Sequence, residues 1–191
     1  MGFWFFVLSL LILFNTAIIL RLIKQNKDLS NVVFQPQELT IGQEIPNFSA
    51  FTLSGLQISS NDFSGQELII IFFSPFCAMC KSEINQLVDL HSNMVRQVKI
   101  LLVTTMRVQD VEPIVKSWGI RFEVVVAPKR KSNFVNNYNP RGILPYFCHI
   151  SHTGKIIKRG PMVGNIEWKD VRNSLLSDIA KPERVLYEQY R

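Results

Sequence analysis

The first twenty residues carry no charge: all 36 Lys, Arg, Asp and Glu side chains of the 191-residue chain lie beyond Leu20. That distribution excludes one uniform soluble domain and sets the first boundary. A secretory signal peptide wants a basic start, a short apolar core and a small-x-small cleavage site, and none of the three is clear here. No cysteine near the end of the stretch offers a point of lipid attachment. What is present, GFWFFVLSLLILFNTAIIL from Gly2 to Leu20, is nineteen residues, which as a helix rising ~1.5 Å per residue covers roughly the ~30 Å hydrocarbon core of a bilayer. The expectation is an uncleaved single-pass anchor over 2–20, a linker over 21–40, a compact domain over 41–180 and a tail over 181–191. A buried core helix is the alternative.

Cysteine is also scarce, with three in all, and no second Cys or His pair repeats the spacing of the first, as a structural zinc site usually requires. The net charge of +6 is spread along the soluble part, with one tight basic run, Lys129, Arg130 and Lys131, and a looser one, Lys155, Lys158 and Arg159, neither with interleaved aromatics. No nucleic-acid partner is expected from such runs, which are the mark of solvated loops. Internal repeats and low-complexity tracts are missing. The side of the membrane is contested: Arg21, Lys24 and Lys27 follow the anchor and no basic residue precedes it, which favours a cytoplasmic domain. A cysteine pair, Cys77 and Cys80, spaced as Cys-x-x-Cys argues the other way, since a pair that works on disulfides belongs on the extracytoplasmic face where disulfides persist, and that face is the expectation.

Beyond the linker, residues 67–73 and 98–104 are short, β-branched apolar runs of the kind buried on both faces of a mostly parallel sheet. Between them Cys80, Ile84, Leu87, Val88, His91 and Val95 recur at spacings of three and four, the stripe of a helix packed on that sheet. A helix at 111–118, a strand at 122–126 and a short helix at 132–138 follow. Strands at 146–150 and 155–158 are joined by Ser151-His152-Thr153-Gly154 as a hairpin, and a helix at 166–179 closes the domain. The order βαβαβαββα predicts an α/β fold, a central mixed sheet flanked by helices.

Cys77-Ala-Met-Cys80 falls where the first strand turns into the first domain helix. Spacing of three puts both sulfurs on the first helical turn, and the unpaired N–H groups and positive dipole end there stabilise a thiolate. Cys77 is then the attacking thiol, and Cys80, one turn in on the apolar stripe, resolves the mixed disulfide. Copper binding is the alternative, since Met79 within the motif and a nearby His suit a soft ion. Cys148 is either a small buried core residue or a third redox thiol, and His91 a packed or surface histidine. Phe76 and Tyr146 form an apolar rim around the exposed sulfur, or else belong to the core.

The segments Phe72-Phe-Ser-Pro-Phe-Cys-Ala-Met-Cys-Lys81, Ile41-Gly-Gln-Glu-Ile-Pro-Asn-Phe48 and Arg141-Gly-Ile-Leu-Pro-Tyr146 together resemble the TlpA/ResA-type thioredoxin-like proteins, most closely the methylamine-utilisation accessory thioredoxins of the MauD type. The resemblance covers roughly residues 1–180. It implies a thioredoxin-like fold and thiol-disulfide exchange with exported protein substrates, with no cofactor and with a membrane redox partner that recycles the dithiol. It implies Cys77 as nucleophile, Cys80 as resolving thiol and Pro145 as a cis-proline facing the pair, which leaves the backbone of Leu144 open to an extended substrate, with Phe76 beside it. Glu83 matches the acidic residue of the ResA-like branch, either a proton acceptor for the thiols or a solvated helix carboxylate. Departures from thioredoxin are Ile71 for a buried Asp, Phe76 for a Trp, and Ala78-Met79 for Gly-Pro. A peroxidase is disfavoured, because Ile70 and Ser74 stand where peroxiredoxins place Pro and Thr.

Overall fold

In a computed structural model the backbone is described for residues 2–30, 38–94, 97–128 and 133–176. The expected tail, the basic run at 129–131, Val95 and the last residues of the closing helix lie outside the described residues. The chain divides into two units, Met1–Gln35 and Pro36–Arg191.

The first unit is a helix, α1 (Gly2–Ser30). Asn15 and Thr16 return their side-chain donors to the carbonyls of Leu11, and of Ile12 and Leu13, at 2.9–3.0 Å, so the two polar residues are satisfied within the helix itself. Among the described residues no helix is long and apolar enough to cross a membrane. The expected span over 2–20 is therefore a helix here, and its crossing of a bilayer is not established by the structure.

The second unit is built on seven strands in the order β2-β1-β5-β4-β3-β6-β7. They are β1 (Ser49–Thr52), β2 (Gln57–Ser59), β3 (Leu68–Phe72), β4 (Lys99–Thr104), β5 (Glu123–Val126), β6 (Tyr146–Ile150) and β7 (Ile156–Pro161). β3, β4 and β5 are mutually parallel, and β6, β7 and β1 pair antiparallel to their neighbours. The sheet is mixed, as expected. Its β1–β2 hairpin was not expected; both strands are short and carry Ser, Thr and Gln between their apolar residues, too weak an alternation to stand out from a linker. β7 begins at Ile156, while Lys155 only bridges to Glu44. Pro161 ends this edge strand, where its missing N–H costs no ladder bond.

Both faces of β3 are covered, which is why its run is continuous. Leu68, Ile70 and Phe72 face one cluster with Phe134 and Tyr138 of α4 (Asn133–Tyr138); Ile69 and Ile71 face the other. That second cluster takes Cys80, Ile84 and Leu87 from α2 (Ala78–Leu90), Val111 from α3 (Val108–Ser117), and Trp168 and Val171 from α5 (Ile166–Ser174). Both βαβ crossovers advance in one direction across the sheet, β3 to β4 to β5, so their shared hand puts α2 and α3 on the same face. The stripe expected on α2 is cut short: the helix ends at Leu90, and His91 sits in a 3-10 turn with its ring 5.1 Å from that of Phe122.

Candidate active site

The pairing register brings the site's loops together. Phe72 pairs with Tyr146, and Tyr146 with Pro161, so the segment after β3, the segment before β6 and the segment after β7 leave the sheet at the same end. Cys77, Leu144, Pro145 and Val163 lie on those three segments.

Cys77 caps α2. Its backbone is extended (φ −99°, ψ 109°) and its Sγ accepts the N–H of Cys80 at 3.1 Å, the place a Ser or Asp oxygen takes at an ordinary N-cap. Ser74 sets the approach: its carbonyl accepts the Cys77 N–H at 3.1 Å and its hydroxyl the Phe76 N–H at 3.3 Å. A sulfur so held meets the donors and the positive end of the helix, an arrangement suited to carrying negative charge. Cys77 is half-buried and Cys80 fully buried, both as free thiols. Burial first, then the hydrogen bond with Cys77, pushes the Cys80 thiol from 9.0 up to about 12. The two sulfurs are thus chemically unequal, one reachable and one protected. Phe76 is 78% exposed and Met79 53%; of the two aromatics expected at the rim, Phe76 faces solvent, and Tyr146 is buried with its hydroxyl accepting from Arg159 at 3.2 Å.

The Leu144–Pro145 bond is cis. Leu144 packs against both core clusters, and in the second it shares apolar surroundings with Cys77 and Cys80. The loop leading to it is tied from within by Asn139, a buried residue that sequence reasoning missed. Its side-chain amide donates to the Ile143 carbonyl at 2.8 Å and its oxygen accepts the Ile143 N–H at 3.1 Å. Gly142, at φ +64°, makes the intervening turn. The Asn139-Pro140 dipeptide, a turn signal, was the trace available in the sequence.

Glu83 is neither a freely solvated carboxylate nor isolated. The indole N–H of Trp168 donates to its Oε2 at 2.9 Å, and Arg172 Nη1 lies 3.7 Å from the same oxygen. Arg172 also donates to Gln86. Trp168 is itself fixed, buried on α5 with its ring 5.1 Å from Phe147. α5 starts where Asn165 accepts the Glu167 N–H, and Gly160 leaves room for that cap, since a Cβ there would stand 2.8 Å from Asn165 Nδ2. Trp168 and Arg172 were not singled out in the sequence because their partner is 85 and 89 positions away on another helix.

Cys148 is fully buried on β6, and burial pushes its thiol up to about 12. His149 is buried too, its Nε2 2.5 Å from Glu67 Oε1, opposite Ile69 in register and so towards the far end of β3 from Cys77. His152 lies in the β6–β7 turn at that far end. No His joins the cysteine pair, and among the described residues no three His, Cys, Asp or Glu side chains gather as metal ligands do.

The AhpC/TSA family model matches residues 41–158. The chain belongs to the AhpC/TSA family. Within it the chain is similar to the thiol-disulfide oxidoreductase ResA of Bacillus subtilis, 28% identical over 131 residues, covering 67% of this chain and 72% of that one. The ResA of Geobacillus thermodenitrificans is 25% identical over 150 residues, 78% of this chain and 83% of that one. Among solved structures, the thioredoxin domain of a Bacteroides vulgatus thiol-disulfide oxidoreductase superposes with a TM-score of 0.59 over 72% of this chain and 99% of that one, at 20% identity, which supports the thioredoxin-like fold. For this AhpC/TSA member the expected ResA-type likeness stands; these relatives do not bear on the finer likeness to methylamine-utilisation thioredoxins.

Proposed function

We propose that the protein is a membrane-anchored thiol-disulfide oxidoreductase that exchanges disulfides with exported protein substrates through Cys77 and Cys80. The observation that carries this is the asymmetry of the pair: a reachable sulfur capping a helix, and a buried thiol one turn away that keeps its proton. The Cys77 thiolate attacks one sulfur of a substrate disulfide; an S–S bond forms to Cys77 and the other substrate sulfur leaves as a thiolate. Cys80 then loses its proton to Glu83, attacks Cys77, and releases the second substrate sulfur. The substrate gains two electrons and the pair becomes a disulfide, which a membrane redox partner reduces again. Run backwards, the same steps oxidise a substrate dithiol.

Leu144, beside Pro145, supplies the backbone edge on which the substrate strand lies, with Phe76 as its apolar neighbour. Residues 2–20 hold the enzyme in the membrane with residues 41–180 on the extracytoplasmic face. The apolar length supports the anchor; the chemistry of the pair supports that face. A C-terminal alkaline phosphatase fusion active only in transport-competent cells is the expected result, and an inactive fusion removes the placement. Copper binding keeps the exposed Met79 but loses the His expected beside it, since His91, His149 and His152 all stand away from the cysteine end of the sheet.

Equilibrating the protein in thiol-disulfide buffers tests the proposal. Cys77 and Cys80 are expected to be lost together in one two-electron transition while Cys148 stays reduced, and no Cys77–Cys80 bond at any poise would end the proposal. The midpoint gives direction: near about −270 mV for a reductase, near about −120 mV for an oxidase.

A further inference from the structure

One carboxylate from the start of the second unit reaches both ends of the loop that carries Leu144. Glu38 Oε1 accepts Arg141 Nε at 2.6 Å, and Glu38 Oε2 accepts Arg159 Nη2 at 3.0 Å. Arg159 Nη1 in turn donates to the Tyr146 hydroxyl at 3.2 Å. Arg141 and Tyr146 are the residues that flank positions 142–145, so the two arms of Glu38 hold the loop before its turn and after its proline. The next residue, Leu39, is buried in the same core cluster as Tyr146, which fixes the backbone from which Glu38 reaches.

We propose that Glu38 is a positioning residue for substrate docking: bridging Arg141 and Arg159, it sets where the Leu144 backbone stands relative to Cys77. This rests on the docking role given to Leu144 above. Asn139 ties the loop internally, to Gly142 and Ile143, and after the turn the Met162 N–H holds the Pro145 carbonyl at 3.0 Å; at the other end of the loop, Glu38 is what links Arg141 to Arg159 of β7. The arms are unequal. The Arg159 side chain is 18% exposed and that of Arg141 65%, so the first ion pair is partly shielded from water and the second is screened. A displaced loop weakens the hold on an extended chain and leaves the sulfur chemistry as it was. It therefore acts on KM for polypeptides alone.

The test uses the full chain in detergent. Glu38→Gln keeps the shape but lacks the charge for two guanidinium partners; it is expected to raise KM for a disulfide-bonded peptide by about 2–10-fold with kcat unchanged. Turnover of a small aromatic disulfide, which needs no strand docking, should not change. Arg141→Gln, at an exposed position, should raise the same KM by less, and carries the test if Glu38→Gln does not fold. In parallel, a peptide is attached to Cys77 in the Cys80→Ser background and the Leu144 backbone amide is followed by NMR. An unmoved amide removes the docking role and the proposal with it. A moved amide with wild-type KM in both variants overturns the Glu38 proposal alone, as does an equal loss with peptide and small disulfide.

Discussion

If Cys80 must surrender its proton before it can resolve the mixed disulfide, Glu83→Gln should stall the enzyme after the first attack. In the free dithiol the Cys80 thiol stands at about 12 rather than 9.0, burial first; burial remains when Cys77 is bonded to substrate, whereas the Cys77 charge does not, so Cys80 stays above an ordinary thiol and carries the thiolate in fewer than about one molecule in 100 at pH 7. A positioned base recovers about 100- to 10,000-fold. Glu83 lies one helical turn from Cys80, oriented by Trp168 and Arg172, and glutamine keeps an oxygen to accept the Trp168 N–H. The assay loads Cys77 with a coloured aromatic thiol and follows its release by stopped flow, which isolates the Cys80 step. At pH 7 the variant should release the thiol about 100-fold more slowly than wild type, and the gap should narrow as rising pH supplies the Cys80 thiolate directly. Equal rates at pH 7, or a gap that does not change with pH, would refute the proton-transfer role.

Other consequences concern the buried groups and the anchor. Cys80 and Cys148 are held neutral in the fold, both raised from 9.0 to about 12; their contribution to stability is fully present below pH 9 and is lost as pH rises towards 12. The urea midpoint of the reduced protein should accordingly fall above pH 9, and less so in Cys148→Ala, which should retain exchange activity at neutral pH. Trp168→Phe keeps the buried ring but removes the N–H donated to Glu83, and urea melts should show a loss of about 1–3 kcal/mol. Deleting residues 2–20 should move the protein from the membrane fraction to the soluble fraction; retention in membranes would count against the anchor.

What the sequence made legible follows from locality. The runs around β3 and β4 stood out because both faces of these strands are covered, and Cys77 because strand, turn and helix are contiguous. β1 and β2 did not, because each is three or four residues long and β1 turns Phe51 outward while burying Thr52, which breaks the apolar-in, polar-out alternation. The role of Glu83 stayed open between a proton acceptor and a solvated carboxylate, since what orients it, Trp168, arrives on the last described helix. Glu38 was passed over for the same reason of distance, since a Glu in a polar linker reads as solvent-facing until the fold brings Arg141 and Arg159 against it; Asn139 was passed over although Ile143 is only four positions on, because an Asn before a Pro reads simply as a turn. His91 was placed on the stripe by periodicity, which carries no information about a helix that stops at Leu90.

The unequal pair is tested most directly by trapping. Cys80→Ser, exposed to disulfide-containing exported proteins and analysed by mass spectrometry, should accumulate mixed disulfides at Cys77 that disappear when Cys77 is also replaced. No adduct at Cys77, or adducts that form instead at Cys148, would contradict the account.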